Sequence, residues 1–254
     1  MTDLRRKTSA DALAPHQPLT DYYDDETARH KWLRETFDST AVDYDRVEAL
    51  MAFGTGPRYR GQALKRAGLK PGMRVLDVGT GTGLTAIQAA AIAGGPALVT
   101  CVDPSPGMLA QARGVEGMHV REGRAESLPV ADASFDFLSM GFALRHVSDL
   151  RVAFAEYFRA LKPGGRVCIL EITQPQGALA RRGLKFYLRS VVPTMARVFG
   201  RTRAMPELMR YHWDSIEACV PPPQVMQALE NTGFVDVSRH IELRIFSEYR
   251  ATKP

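Results

Sequence analysis

Residues 75–83 read Val-Leu-Asp-Val-Gly-Thr-Gly-Thr-Gly, a short apolar run that enters a turn with three glycines. Residues 84–93, which follow, are rich in alanine and isoleucine and are typical of a buried helix. Glycine lets a backbone approach a ligand closely, and the first turn of a helix presents free amide N–H groups. The stretch therefore predicts a strand, a ligand-binding turn and a helix in succession.

The same alternation continues along the chain. Further strand-like runs lie at 98–102, 118–121, 135–140, 166–172, 235–240 and 243–251. Helical patterns separate most of the first five runs, and this predicts a Rossmann-like α/β fold: a seven-stranded, mostly parallel sheet with helices on both faces. We also expect an N-terminal helical extension and a helical insertion after the fifth strand. Lys-Pro-Gly-Gly at 162–165 predicts a sharp turn from a helix into that strand.

The chain of 254 residues is interpreted as one domain preceded by a flexible tail. The tail, residues 1–20, is polar and contains two prolines. The domain, residues 21–254, divides into four segments with distinct patterns. These are the N-terminal helices (21–70), the cofactor-binding core (71–173), the helical insertion (174–231) and the C-terminal strands (232–254).

Composition narrows the class of protein. With 45% hydrophobic and 24% charged residues, global disorder is excluded. Three cysteines without a Cys-x-x-Cys pair exclude a disulfide scaffold and a cysteine-built zinc site, and favour a reducing, cytoplasmic setting. Residues 78–102 carry no charge, but their glycine turns break any single membrane-spanning helix. The first residues do not resemble a signal peptide.

The glycine spacing indicates which nucleotide binds. A dinucleotide site needs Gly-x-Gly-x-x-Gly, whereas here Leu84 occupies the place of the third glycine. Asp77, directly before the turn, would repel a pyrophosphate but could hold an ammonium group or order the loop. Asp103 closes the next strand, where a carboxylate can accept both hydroxyls of a ribose. A ligand with an adenosine, a cationic centre and an amino-acid tail satisfies both acids, so the predicted cofactor is S-adenosylmethionine.

Several further motifs carry a resemblance that extends over residues 32–254. They are Phe-Asp-Ser-Thr-Ala (37–41), Tyr-Asp (44–45), Leu-Met-Ala-Phe-Gly (50–54), Ala-Glu-Ser-Leu-Pro (125–129), Ser-Phe-Asp (134–136), Gly-Phe-Ala-Leu-Arg (141–145) and Leu-Lys-Pro-Gly-Gly (161–165). With the glycine turn, they resemble the class I S-adenosylmethionine-dependent methyltransferases, and more narrowly the ubiquinone/menaquinone biosynthesis C-methyltransferase family.

This resemblance implies a cofactor site. Gly79, Thr80, Gly81 and Gly83 would line the methionine part beside Asp77, and Asp103 would bind the ribose. The remaining cofactor contacts would come from Met108 over the adenine, Ala125 at the adenine edge and Tyr44 from the N-terminal helices. Arg124 stands where many relatives have Asp or Asn, and it is left out of the predicted site. Residues 56–59 also depart from the family pattern.

Arg145 and His146 are the predicted catalytic residues. A phenol becomes nucleophilic at carbon as its hydroxyl loses a proton, so a base or a cation near that hydroxyl helps methyl transfer. In the family picture, Arg145 would stabilise the phenolate or position a water, and His146 could take the proton. Two structural alternatives remain open: Arg145 could pair with Asp149, and His146 could cap the next helix.

Phe142, Tyr211, His212 and Trp213 are the predicted residues of the acceptor pocket, although ordinary core packing would explain the last three as well. His16, His30, His119 and His240 show no ligand-like spacing, so no metal is predicted.

The helical insertion has a distinctive charge pattern. Residues 181–203 contain seven basic and no acidic side chains, with apolar residues between them. This pattern suits an anionic membrane surface or a prenyl tail, but also a solvated helix whose apolar side is core. Peripheral contact at the inner membrane face and a homodimer are therefore further hypotheses.

The predicted function is methyl transfer from S-adenosylmethionine to a small aromatic acceptor, with ring C-methylation of a prenylated quinol as the leading form. The main alternative is O- or C-methylation of another aromatic or polyketide metabolite. A nucleic-acid methyltransferase is disfavoured because Ser-Met-Gly-Phe at 139–142 lacks the prolines of amino-methylating enzymes, so no nucleic-acid partner is predicted. The glycine spacing disfavours a nicotinamide oxidoreductase.

Overall fold

In the computed structural model, which describes residues 12–254, seven strands form one sheet. The strands are β1 (Val75–Val78), β2 (Val99–Asp103), β3 (His119–Glu122), β4 (Phe135–Gly141), β5 (Leu161–Ile172), β6 (Val235–Glu242) and β7 (Phe246–Thr252). Their order across the sheet is β3-β2-β1-β4-β5-β7-β6. The pairs from β3 to β5 are parallel, whereas β7 is antiparallel to both β5 and β6. The predicted fold class is confirmed.

Helices precede the sheet, connect its strands and form the insertion after β5. The α-helices of the described residues are α1 (Glu26–Met51), α2 (Gly56–Arg66), α3 (Leu84–Ala93), α4 (Pro106–Ala112), α5 (Leu150–Ala160), α6 (Ala178–Phe186), α7 (Val192–Phe199), α8 (Met205–Ala218) and α9 (Pro222–Thr232). Across residues 12–254, every helix is too short or too polar to cross a membrane.

Apolar side chains cover both faces of the sheet. All four residues of β1 and all five of β2 are buried, as expected for central parallel strands. Side chains alternate between the faces, so Leu76 packs with residues of α5 and α9, whereas its neighbour Val75 packs with residues of α2 and α3. The rigid sheet therefore positions the loops at its carboxyl edge.

Between α6 and α7 the insertion contains a π-helical turn, Tyr187–Val191. Pro193, in the first turn of α7, has no amide N–H and its ring would clash with the carbonyl of Arg189 in a regular α-helix. Widening the preceding turn relieves that conflict. The sequence predicted a helical region here but not this irregularity.

Lys-Pro-Gly-Gly does not lie before the fifth strand but inside it, because β5 begins at Leu161 rather than Arg166. Leu161 already pairs with Phe135, and the register with β4 then shifts between Phe135 and Phe137. The backbone at Gly164 is left-handed, with φ +76°. The predicted turn is thus an irregularity within a longer strand.

Part of the predicted flexible tail is attached to the domain. The amide of Leu150 donates to the carbonyl of Leu13 (3.0 Å), and the amide of Val220 donates to the carbonyl of Pro15 (2.6 Å). His16 is buried. The predicted tail therefore includes a docked segment at residues 13–16, while residues 1–11 lie outside the described residues.

Candidate active site

The glycine turn follows β1 at the carboxyl edge of the sheet, where the strand order reverses between β1 and β4. The backbone is left-handed at Gly79, Gly81 and Gly83, with φ of +63°, +55° and +94°. A Cβ atom at Gly79 would lie 2.6 Å from the Cβ of Ala143. Position 79 therefore requires glycine both for its backbone angle and for its close contact with the loop after β4.

Gly79→Ala is expected to lower the free energy of unfolding by about 2–5 kcal/mol, because left-handed strain and a steric clash add together. Gly72→Ala is the matched control. Gly72 has φ +83°, and a Cβ atom there would meet nothing within 4 Å, so only the strain of about 1–2 kcal/mol is expected. Chemical denaturation measures both values. Equal losses in the two variants would show that the contact with Ala143 has no effect.

Amide groups of the turn already have acceptors inside the protein. The N–H groups of Gly79 and Thr80 donate to the carbonyl of Val102, at 2.8 and 3.1 Å. The N–H of Gly81 donates to Oδ2 of Asp103 at 2.8 Å. A pyrophosphate needs free N–H groups at this place. The geometry thus agrees with the glycine spacing in disfavouring a dinucleotide.

Asp77 is fully buried and orders the turn. Its Oδ2 accepts a hydrogen bond from Thr80 Oγ1 (2.6 Å) and its Oδ1 accepts one from Ser139 Oγ on β4 (2.5 Å). Burial raises the pKa of Asp77 to about 6, although both hydroxyls counteract the shift. Of the two roles left open by the sequence, these contacts match ordering of the loop.

Asp103 is held in place by two backbone amides. In addition to the Gly81 amide, which donates to Oδ2, the amide of Ser105 donates to Oδ1 of Asp103 at 2.9 Å. Burial raises the pKa of Asp103 to about 6, against the opposing effect of the two amides. The carboxylate lies at the end of β2 and faces a cavity, which is the position that binding of a ribose requires.

Binding of S-adenosylmethionine is expected to weaken as the pH falls through about 6, because the ribose hydroxyls need the ionised form of Asp103 as acceptor. The ionised fraction falls with each unit below that pKa, so the apparent affinity at pH 5 should be about tenfold lower than at pH 8. Calorimetric titrations with S-adenosylhomocysteine at the two pH values measure this. Equal affinities would contradict the assigned role of Asp103.

The cavity beside Asp103 has a volume of about 570 Å³, within the usual range for small-molecule sites. Its wall comes from α1, α2, the glycine turn and the loops after β2, β3 and β4. Nine residues that the sequence predicts for the site line it. They are Tyr44, Gly79, Thr80, Gly81, Asp103, Met108, Ala125, Phe142 and His146.

Six predicted site residues do not line this cavity: Asp77, Gly83, Arg145, Tyr211, His212 and Trp213. Asp77 and Gly83 shape the glycine turn but do not face the cavity. Trp213 is fully buried and donates to Oε2 of Glu217 at 3.1 Å. The expected acceptor-pocket role of 211–213 is therefore not a direct one, because residues of α8 pack behind the wall.

The side chain of Arg145 is buried and links the loop after β4 to β5 and α8. Its Nη1 donates to Oε1 of Glu171 and to the carbonyl of Phe142, both at 2.7 Å. Nε donates to Ser215 Oγ (3.1 Å), and Nη2 lies 2.7 Å from Nδ1 of His212. The alternative partner suggested by the sequence, Asp149, instead caps α5. Arg145 thus fixes the loop after β4 rather than facing the cavity.

That loop contains a strained residue. Phe142 has φ +61°, which is uncommon outside glycine. Its amide donates to the carbonyl of Leu170 (2.8 Å), and its own carbonyl accepts from Arg145. Such over-determined strain is typical of functional sites, and here it directs the Phe142 ring to the cavity wall.

His146 lines the cavity and is held by two aromatic rings. The ring of Phe37 meets it edge-on at 5.3 Å, and the ring of Tyr211 stacks on it at 5.6 Å. The Tyr211 hydroxyl lies 3.3 Å from Nδ1 of His146. Burial, reinforced by the positive charges of Arg145 and Arg29, lowers the pKa of His146 well below its usual value. The imidazole is therefore neutral at physiological pH.

Three arginines in the wall, Arg34, Arg60 and Arg124, are absent from the predicted site. Arg124 lies beside Ala125, and its Nη1 lies 2.9 Å from Nδ1 of His30 on α1. Arg60 on α2 pairs with Glu48 (2.8 Å), lies over the ring of Phe142 at 5.1 Å and has a buried Nε without a partner among the described residues. The sequence does not show that Arg60 reaches the cavity, because a single arginine in an amphipathic helix does not indicate a binding site.

Two aspartates of α1 attach this helix to the cofactor loops. Oδ1 of Asp38 accepts from Ser105 Oγ (2.6 Å) and from the amide of Gly107 (2.8 Å). Oδ1 of Asp45 accepts from Thr82 Oγ1 (2.5 Å). These contacts give a physical reason for the Phe-Asp and Tyr-Asp motifs, which in the sequence alone are only marks of resemblance.

His240, Glu242 and Glu248 bring three potential metal ligands together away from the cavity. The guanidinium of Arg66 lies 2.6 Å from Glu248 and 3.5 Å from Glu242. The carboxylates therefore already face a cation.

Comparisons with known proteins agree with this geometry. Residues 25–244 match the model of the ubiE/COQ5 methyltransferase family. The chain is 31% identical over 235 residues to a ubiquinone/menaquinone biosynthesis C-methyltransferase UbiE of Geotalea daltonii, covering 89% of this chain and 98% of that protein. It is also 31% identical over 223 residues to a demethylmenaquinone methyltransferase of Clavibacter sepedonicus, covering 86% of this chain and 89% of that protein.

A solved structure supports the fold. It is a SAM-dependent methyltransferase of Thermotoga maritima, described as a possible histamine N-methyltransferase. The two chains superpose with a TM-score of 0.61 at 23% identity, over 87% of this chain and 99% of that one.

Proposed function

Because the chain belongs to the ubiE/COQ5 methyltransferase family, we propose that it transfers a methyl group from S-adenosylmethionine to a ring carbon of a prenylated quinol. The acceptor class is taken from the names of its ubiquinone and menaquinone relatives. One observation carries the proposal: a single cavity joins a cofactor cradle around Asp103 to an aromatic wall that contains a neutral histidine.

The residues present fit the cofactor. Asp103 would accept the ribose hydroxyls, and Met108 and Ala125 would contact the adenine. Glycine at position 79 lets the turn pack closely against Ala143 in the loop after β4. Arg60, with its unpartnered Nε, would bind the carboxylate of the methionine part. When bound, S-adenosylmethionine supplies an electrophilic methyl group on a positively charged sulfur.

The other end of the cavity suits an aromatic acceptor. Phe37, Met140 and Phe142 provide apolar and aromatic surface, which excludes water and can align a planar ring. Alignment and desolvation are the main requirements of an in-line methyl displacement.

His146 is the residue placed to remove the proton of the acceptor hydroxyl. It can do so when its Nδ1–H donates to the Tyr211 oxygen, because the Nε2 lone pair is then free. The positive charges of Arg145 and Arg29, which lower its pKa, would also stabilise a phenolate nearby. Tyr211 and Arg145 thus act through His146 and its loop, as positioning residues.

His146→Phe is expected to lower kcat by about 10²–10⁴-fold, because it removes the base but keeps an aromatic ring in the wall. The affinity for S-adenosylhomocysteine should not change. Tyr211→Phe is the control: it keeps the stacked ring but loses the hydroxyl that selects the tautomer, so a smaller decrease is expected. Steady-state kinetics with a quinol acceptor measure both. If the His146→Phe variant kept the wild-type kcat, His146 would have no part in the mechanism.

We further propose a cytoplasmic location with peripheral membrane contact through 181–203, since a prenylated acceptor resides in the bilayer. Exposed apolar side chains of this segment, including Phe186 and Val198, support this contact. A homodimer stays a prediction.

The function is tested by mass spectrometry of lipid extracts from a strain that lacks the gene. A quinone lighter by one methyl group should accumulate, and the wild-type gene but not the Asp103→Ala variant should restore the normal quinone. An unchanged quinone pool would reject the proposed acceptor, and a search for another aromatic metabolite lacking a methyl group would follow.

A further inference from the structure

A second cavity of about 640 Å³ lies in the helical insertion, and it shares no lining residue with the cavity of the active site. Its wall consists of the π-helical turn, the end of α7, the loop at 200–204 and the start of α8, with Asp21 and Tyr22 on the opposite side. Five arginines line it: Arg189, Arg197, Arg201, Arg203 and Arg210.

The positive charge of this arginine cavity is poorly compensated. Only two acidic side chains, Asp21 and Glu207, are part of its wall. Arg189 pairs with Asp214 at 3.1 Å, whereas the other four arginines form no salt bridge with any residue in 12–254. Guanidinium groups held together without acidic partners repel one another, so an anion placed between them would relieve that repulsion.

The loop at 200–204, which forms part of the cavity wall, is fixed by hydrogen bonds to α1. The buried carboxylate of Asp43 on α1 accepts hydrogen bonds from the amides of Arg201 (2.6 Å) and Thr202 (2.7 Å). The Thr202 hydroxyl is buried beside the cavity and has no partner among the described residues. A fixed backbone and an unpartnered hydroxyl indicate a built site rather than a chance cluster of surface charges.

The chemistry of these donors matches a phosphate group. Guanidinium groups bind phosphate oxygens in pairs, and a threonine hydroxyl can donate to a third oxygen. Val198 and Phe199, next to Arg197, are 68% and 47% exposed. Because these two residues directly follow Arg197 in the chain, their exposed apolar side chains would suit a phosphate ester that carries an apolar chain. We propose that the arginine cavity is a second ligand site, which binds the phosphate group of a phosphate ester independently of methyl transfer.

The test compares two variants with the same change of charge. Arg201→Gln/Arg210→Gln removes two cavity arginines, whereas Arg46→Gln/Arg113→Gln removes two exposed arginines outside both the cavity and the insertion. Thermal unfolding and S-adenosylhomocysteine binding confirm that both variants fold. Two probes are used: vesicles of phosphatidylcholine with phosphatidylglycerol in a flotation assay, and soluble glycerol 3-phosphate in calorimetry.

We expect the cavity variant to bind at least one probe about tenfold or more weakly than the wild type, and the Arg46→Gln/Arg113→Gln variant to bind like the wild type. Loss with vesicles alone identifies a lipid headgroup, and loss with glycerol 3-phosphate identifies a soluble phosphate ester. Equal losses of affinity in both variants would mean that the probe is attracted only by net charge, and this would overturn the proposal. Wild-type affinity in both variants would overturn it as well. Neither result depends on the identity of the methyl acceptor.

Discussion

Arg145→Met is expected to lower the free energy of unfolding by about 3–5 kcal/mol, because it leaves Glu171 buried without its cation. The two side chains are each 2% exposed and lie 2.7 Å apart. Burial already raises the pKa of Glu171 even with Arg145 beside it, which shows how poorly this position is solvated. Chemical denaturation near neutral pH, where an unpaired carboxylate is most costly, measures the effect.

The matched control is the double variant Arg145→Met/Glu171→Met. It removes both charges, and replacement of a whole buried ion pair by apolar side chains of similar size is often neutral. We expect it to recover most of the lost stability, although the Phe142 carbonyl and Nδ1 of His212 still lose a donor. A double variant no more stable than Arg145→Met would show that the ion pair is not the source of the effect.

Asp103→Ala is expected to lower the affinity for S-adenosylmethionine by at least about 100-fold. Two hydrogen bonds from ribose hydroxyls to a carboxylate contribute about 1.5–3 kcal/mol each, and about 2.7 kcal/mol corresponds to 100-fold. The substitution also frees the amides of Gly81 and Ser105, which loosens both loops. Calorimetry with S-adenosylhomocysteine measures the affinity.

Two further variants make this result specific. Asp103→Asn keeps one acceptor oxygen and should give an intermediate affinity. Asp24→Ala removes an exposed carboxylate before α1 and should bind like the wild type. If Asp103→Ala binds within a factor of a few of the wild type, the ribose is held elsewhere and the assignment of the cofactor cradle is wrong.

The sheet was predictable from the apolar runs and helical patterns along the chain, and the pattern at 75–83 predicted the glycine turn after its first strand. Apolar runs, glycines with left-handed backbone and an acid at a strand end are properties of neighbouring residues, so a single sequence displays them. Asp103 ends β2, Gly79 directly follows β1 and His146 lies in the loop after β4, so all three are found where the pattern places them, at the carboxyl edge of the sheet.

The direction of a side chain in a loop was not predictable in the same way. Arg145 and His146 are adjacent, yet His146 faces the cavity while Arg145 points away from it toward Glu171 and α8. That choice depends on a buried carboxylate 26 residues further along the chain. Tyr211, His212 and Trp213 likewise pack behind the wall, because α8 lies against α1 and the loop after β4 rather than across the cavity.

Arg60 and the arginine cavity were missed for the same reason. Arg60 reaches the site because α2 packs on α3 beside the glycine turn. In the insertion, the sequence showed the excess of positive charge, but not that five arginines converge on one side of it. Whether side chains from different elements converge depends on the tertiary structure, and the spacing of residues along one helix does not show it.

One assay tests the central claim most directly. The purified protein is incubated with S-adenosylmethionine that carries a trideuterated methyl group and with a reduced, prenylated quinol that lacks the ring methyl. We expect a product heavier by one deuterated methyl group that still has both hydroxyls available for acetylation, which identifies transfer to carbon. A product with only one free hydroxyl would instead show O-methylation, and recovery of unchanged quinol with protein that binds S-adenosylhomocysteine would contradict the proposed acceptor altogether.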